Sequence, residues 1–281
     1  MLTTLVDSGT LSRHIADPKW VVVDCRFSLS DHDAGRRAYE IGHIPGAHYA
    51  GLDQDLSSAV TPVSGRHPLP YPNVLAEKFG RWGIDKTKQV IVYDATYGAM
   101  AARLWWLLRW LGHEAVAVLD GGFPKWQREG LPVAAEPSQT QAAQFHPIIN
   151  HVMVVDTAEV VEMLRAQNGL LIDARGDLRF RGEIEPLDKV AGHIPGAVNM
   201  PYEDNLDFDG DFMSDEALRE HYLARLNNLA PEKVVHTCGS GVTACHNIMA
   251  MEHAGLTGSR LYAGSWSEWI TDPSRPVATG E

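Results

Sequence analysis

Short apolar runs alternate with helix-period stretches along this chain. Val21-Val22-Val23, Gln89 to Asp94, Ala115 to Leu119, Leu170-Leu171-Ile172 and Val234-Val235-His236-Thr237 are short and apolar, which predicts buried strands. Leu11 to Ala16, Ala99 to Leu111, Ala158 to Gln167 and Thr243 to Glu252 read as helices. Within the second of these, Met100, Leu104, Leu107, Leu108 and Leu111 recur at helical spacing, and Gly112-His113 ends the run. Strands alternating with helices predict an α/β fold, with parallel sheets flanked by helices.

The pattern occurs twice. Asp24-Cys25-Arg26 returns as Asp173-Ala174-Arg175, Gly42 to Ala47 recurs letter for letter as Gly192 to Ala197, and Asp120-Gly121-Gly122 to Trp126 is echoed by Ala263-Gly264-Ser265 to Trp269. Blocks recurring in one order at nearly constant spacing predict two copies of one domain. The copies are placed at residues 1–135 and 151–281. Residues 136–150, rich in Ala, Gln and Pro and without periodicity, form an extended linker between them.

The chemistry concentrates at Cys238-Gly239-Ser240-Gly241-Val242-Thr243, between the last apolar run and the helix that follows. A strand-to-helix turn with two glycines can aim successive N–H groups, and the positive end of the helix, at one point. A cysteine at that point is expected to be held as its nucleophilic thiolate. The alternative is a buried structural cysteine. Ligands of open parallel sheets bind beyond the carboxyl ends of the strands, where Cys238 falls. The corresponding position of the first copy is Ala95, so that copy carries no second thiol centre.

The net charge of −12 argues against nucleic acid or anionic membrane surfaces as partners, and obliges an anionic substrate to find a local basic site. The three cysteines, Cys25, Cys238 and Cys245, cannot make a disulfide framework, and no export signal is visible. Both observations point to the cytoplasm. No metal or cofactor is called for: the histidines lack helical metal-ligand pairing, and Cys238 and Cys245 are too far apart for a zinc knuckle. His43 and His193 recur in both copies while only one copy has a thiol, so they read as structural. Cys245 reads as a small buried hydrophobe, and the tryptophans as core, with Trp266 a possible cleft residue.

The paired Gly-His-Ile-Pro-Gly-Ala blocks, the Asp-x-Arg after each first strand, the Trp-rich Arg103-Leu104-Trp105-Trp106 and the single cysteine loop resemble the tandem-domain rhodanese family over essentially the whole chain. The loop Cys-Gly-Ser-Gly-Val-Thr-Ala is similar to that of its 3-mercaptopyruvate sulfurtransferase branch, whereas the thiosulfate branch typically carries basic residues where Gly239 and Ser240 stand. The resemblance implies ping-pong sulfur transfer: Cys238 takes a sulfane sulfur from a small anionic donor and passes it as a persulfide to cyanide, a thiol or thioredoxin. It also implies Arg179 as the residue for the donor's carboxylate or sulfonate, N–H groups from Gly239 to Thr243 as the anion nest, and Ser240, His67 and Asp53 as a proton relay. One departure is Leu187, which stands after Glu185-Pro186 where this branch usually carries a second arginine; Lys189 is the nearest substitute. Leu187 leaves thiosulfate as the alternative donor. A cysteine phosphatase needs an arginine where Ala244 stands, and a non-enzymatic binding module would have no use for Cys238.

Overall fold

The computed structural model describes residues 1–281. The chain divides into two compact units. One comprises Met1–Ser58, Leu69–Asn150 and Asp209–Asp211; the other comprises Ala59–Pro68, His151–Phe208 and Phe212–Glu281. No helix is long and apolar enough to cross a membrane.

The first unit is a five-stranded, all-parallel sheet. Its strands are β1 (Leu5–Val6), β2 (Trp20–Asp24), β3 (His48–Tyr49), β4 (Gln89–Tyr93) and β5 (Val116–Leu119), in the order β1-β5-β4-β2-β3. Six helices accompany them: α1 (Ser8–His14), α2 (Ala34–Ile41), α3 (Leu52–Asp55), α4 (Pro72–Arg81), α5 (Ala101–Trp110) and α6 (Gly122–Arg128). β4 and β5 are almost continuously buried, as strands covered on both faces must be. α5 is buried nearly all round, which is why its periodicity extends to Trp105 and Trp106. α1 begins earlier than the apolar spacing predicts, because the Asp7 carboxylate accepts the Thr10 N–H at 2.7 Å and caps it.

The second unit repeats the plan. Its strands are β6 (Val154–Val155), β7 (Leu170–Asp173), β8 (Ala197–Asn199), β9 (Val234–Thr237) and β10 (Arg260–Tyr262), in the order β6-β10-β9-β7-β8, again all parallel. Its helices are α7 (Thr157–Ala166), α8 (Asp177–Phe180), α9 (Asp215–Leu226), α10 (Ala244–His253) and α11 (Ser265–Trp269). A capping box of Asp156 and Glu159 starts α7. Trp266 and Trp269 belong to the core with Val155, Val160, Leu171, Val235 and Tyr262. Trp266 is fully buried beneath the Arg175 guanidinium, which removes it as a cleft residue.

The repeated motifs have repeated physical jobs. Arg26 bonds Asp24 and the Gly42 carbonyl; Arg175 bonds Asp173 and the Gly192 carbonyl. Each buried ion pair therefore ties a strand end to the turn that opens a Gly-His-Ile-Pro-Gly-Ala block. His43 stacks on Tyr39 and bonds its carbonyl, and His193 stacks on Phe180 and bonds its carbonyl. Both histidines are occupied with holding the fold.

Candidate active site

Cys238 is the first residue after β9, at the carboxyl end of that strand, and is 2% exposed. Its backbone is clamped by the start of α11. The Cys238 N–H donates to Ser265 Oγ at 3.1 Å, while the N–H groups of Trp266 and Ser267 donate to the carbonyls of Cys238 and Gly239 at 3.0 and 2.9 Å. The loop then turns through Gly241, whose φ of +75° and whose approach to the Ala263 carbonyl exclude a side chain: a β-carbon there would lie 2.4 Å from that oxygen. The turn brings the Gly241 N–H to Cys238 Sγ at 3.2 Å. Val242 is buried, and Thr243 caps α10 without a side-chain hydrogen bond. Cys245 is fully buried, and its Sγ donates to the Gly241 carbonyl at 3.4 Å.

Ser240 and His67 meet. Ser240 Oγ and His67 Nδ1 are 2.7 Å apart, and both residues are buried. His67 arrives on the segment Ala59–Pro68, which packs as part of the second unit. That segment is pinned close to the loop: Gly65 sits against the Gly264 carbonyl with no room for a side chain, and the Arg66 N–H donates to Ser267 Oγ at 3.0 Å. Asp53 lies in the first unit, on α3, where its Oδ2 bonds His32 Nδ1 at 2.5 Å.

Arg179, on α8, is held from behind. Its Nε and Nη2 bond the Glu185 carboxylate at 2.8–3.2 Å, and Nη2 reaches Asp188 Oδ2 at 3.3 Å. Burial opposes ionisation of Glu185, but the Arg179 hydrogen bonds and the N–H groups of Leu187 and Asp188 outweigh it, and the carboxyl is held below its ordinary value. Asp188 also pairs through Oδ1 with Arg66 Nη1. A β-carbon at Gly239 would lie 2.8 Å from Arg66 Nη2 and 3.4 and 3.5 Å from the two Nη atoms of Arg179. Two guanidinium groups therefore border the loop at the residue after Cys238. Lys189 is exposed. Arg66 was not legible as a site residue in the sequence; its signal was its place next to His67.

The first unit has a counterpart loop between β4 and α5, and it is filled from within. The Asp94 carboxylate accepts the N–H groups of Thr96 and Gly98 at 2.8 and 2.9 Å on one oxygen, and of Met100 and Ala101 at 2.7 and 2.8 Å on the other. The strand-to-helix turn of this fold is thus an anion nest, occupied in this unit by its own fully buried aspartate.

A rhodanese-like domain model matches twice, at residues 7–129 and 156–272. The chain belongs to the rhodanese family. This rhodanese is 47% identical to a Pseudomonas aeruginosa protein named "Probable 3-mercaptopyruvate sulfurtransferase", over 99% of this chain and 98% of that one. It is 34% identical to the thiosulfate sulfurtransferase of Mus musculus, over 94% of this chain and 90% of the relative. Among solved structures it resembles SseA from Escherichia coli, described as a 3-mercaptopyruvate sulfotransferase, with a TM-score of 0.82 and 32% identity, covering 95% of this chain and all of that one. The two parallel sheets and the duplicated motifs of this rhodanese agree with the two matched domains.

Proposed function

We propose that this rhodanese is a sulfurtransferase that moves a sulfane sulfur from 3-mercaptopyruvate to a thiol, thioredoxin or cyanide through a persulfide on Cys238. The observation that carries the reading is the Cys238 thiol at the carboxyl end of β9, with an amide donor on its sulfur and the Ser240–His67 pair two residues away. The relative named for mercaptopyruvate, similar along the whole chain, supports the donor.

The chemistry divides into two displacements. The Cys238 thiolate attacks the donor sulfur. The donor C–S bond breaks, its electron pair goes to the C3 carbon as pyruvate enolate, and a proton is delivered there to give pyruvate. Cys238 is left as the persulfide. An acceptor thiolate then attacks the outer sulfur, the S–S bond breaks, and its electron pair returns to Cys238; cyanide leaves as thiocyanate. Ser240 and His67 carry the proton of the first step. Asp53 enters as the carboxylate that the resemblance assigns to this proton path, and Asp53→Asn tests it. Arg179 receives the donor carboxylate with the planar fork suited to it. The N–H groups from Gly239 to Thr243 hold the charged terminal sulfur, as preorganised donors do at an oxyanion. The three free, buried cysteines fit a reducing compartment such as the cytoplasm.

Thiosulfate is the second reading of the donor, favoured by Leu187 and by the mouse relative. Sulfur transfer to cyanide, measured for both donors with Cys238→Ala as control, separates them. A preference for mercaptopyruvate of about tenfold or more in kcat/KM, about 1.4 kcal/mol at the transition state, supports the first reading. A preference for thiosulfate overturns it.

A further inference from the structure

Arg66 and Arg179 are paired on one edge and unspent on the other. Asp188 takes Arg66 Nη1 and Arg179 Nη2, one on each carboxylate oxygen, and Glu185 takes Nε and Nη2 of Arg179. Arg179 Nη1 and Arg66 Nη2 make no hydrogen bond, and both approach the space over Gly239, where a β-carbon would be 3.5 and 2.8 Å away. Arg66 Nε is buried and has no partner. A buried guanidinium N–H without an acceptor is costly, and it marks a place where an acceptor belongs.

Asp188 acts as a spacer. By holding both guanidiniums it fixes their separation, and with Glu185 it balances their charge, leaving unspent N–H donors aimed at the residue next to the nucleophile. Gly239 has no side chain to intrude. An oxyanion entering above Gly239 meets Arg66 Nη2 and Arg179 Nη1, next to the residue that carries the thiol.

We infer that Arg66 is a second anion-binding residue of the donor site, and that it makes Cys238 selective for carboxylate-bearing electrophiles and sulfur donors over neutral ones. This rests on the proposed sulfurtransfer reading only for the name of the donor; the charge selectivity stands on the geometry. Arg66 is a binding residue, because it meets the donor's carboxylate and not the sulfur being transferred.

The test uses two alkylating reagents of nearly equal size, anionic iodoacetate and neutral iodoacetamide, with modification of Cys238 followed by mass spectrometry in wild type, Arg66→Gln and Arg66→Lys. Rates are normalised to free cysteine. The expected result is a fall of about fivefold or more in the iodoacetate rate for Arg66→Gln, an iodoacetamide rate unchanged within about twofold, and substantial recovery in Arg66→Lys, since a surviving cation still attracts the anion. KM for 3-mercaptopyruvate should rise about tenfold in Arg66→Gln with a smaller change in kcat, the mark of lost uniform binding. An equal fall with both reagents would show that Arg66 merely shapes the loop, and unchanged rates with both would show that it does not meet the anion; either overturns the inference. If wild type transfers sulfur from neither donor while the iodoacetate preference still depends on Arg66, the sulfurtransfer reading fails and the anion site stands.

Discussion

Ser240 Oγ and His67 Nδ1 form a buried 2.7 Å hydrogen bond between residues 173 positions apart in the chain. The bond exists because Gly65 lies flat against the Gly264 carbonyl and Arg66 is tied to Ser267, so His67 is delivered to the cysteine loop with little freedom left. A hydroxyl fixed to an imidazole in this way can move a proton without reorganising.

Ser240→Ala and His67→Gln are expected to reduce kcat with 3-mercaptopyruvate by about 10² each, the usual worth of a positioned acid–base group. The double variant should be no worse than the more damaged single one, because the two act as a unit. Steady-state kinetics of the three variants checks this; losses that multiply would separate the two residues.

Gly241→Ala tests the loop itself. Its positive φ and the 2.4 Å approach of a β-carbon to the Ala263 carbonyl force the backbone to shift, at a cost of about 1–3 kcal/mol. The shift takes the amide off Cys238 Sγ. Thermal unfolding should show the lost stability, and persulfide formation should slow. Unchanged kinetics in a destabilised protein would mean that this amide does not serve the sulfur.

Asp94→Ala should destabilise the first unit by about 3 kcal/mol or more, since four N–H groups lose a charged acceptor in a buried site. Urea unfolding reads this directly. Asp94→Asn, which still accepts from some of these donors, should cost less.

Stability should fall in mild acid. Burial pushes His236 down to about 3 and His48 down to about 4, both below the ordinary value of 6.5. In the unfolded chain these rings take up protons near pH 6.5, whereas the folded protein refuses them until far lower pH. Their contribution is therefore complete above about pH 6.5 and is lost progressively as the pH falls from there toward the folded values. The urea midpoint should drop between about pH 7.5 and about pH 5.5, and His236→Leu should shrink that drop. A midpoint insensitive to pH across this interval would contradict the assignment.

What could be read from the sequence followed from periodicity and repetition. The runs ending at Asp24 and Asp173 and the two Gly-His-Ile-Pro-Gly-Ala blocks are local patterns, and they located the parallel strands and their turns. Cys238 was visible for the same reason, as a glycine turn between an apolar run and a helix. The role of Arg66 was not visible, because it depends on the segment Ala59–Pro68 packing beside α11 and on Asp188 gripping two arginines, neither of which leaves a periodic trace. Asp94 was hidden likewise: a lone aspartate at a strand end carries no sign that four amides will converge on it. Trp266 went the other way, since a tryptophan near a conspicuous motif suggests a site while the packing under Arg175 makes it core.

The central claim is that Cys238 carries the sulfur. Full-length protein treated with 3-mercaptopyruvate in the absence of an acceptor, digested and examined by mass spectrometry, tests it most directly. The account predicts one added sulfur atom on the peptide containing Cys238, none on Cys25, and removal of that sulfur by cyanide with release of thiocyanate. An unmodified Cys238 in a protein that still transfers sulfur, or an added sulfur that cyanide does not remove, would contradict it.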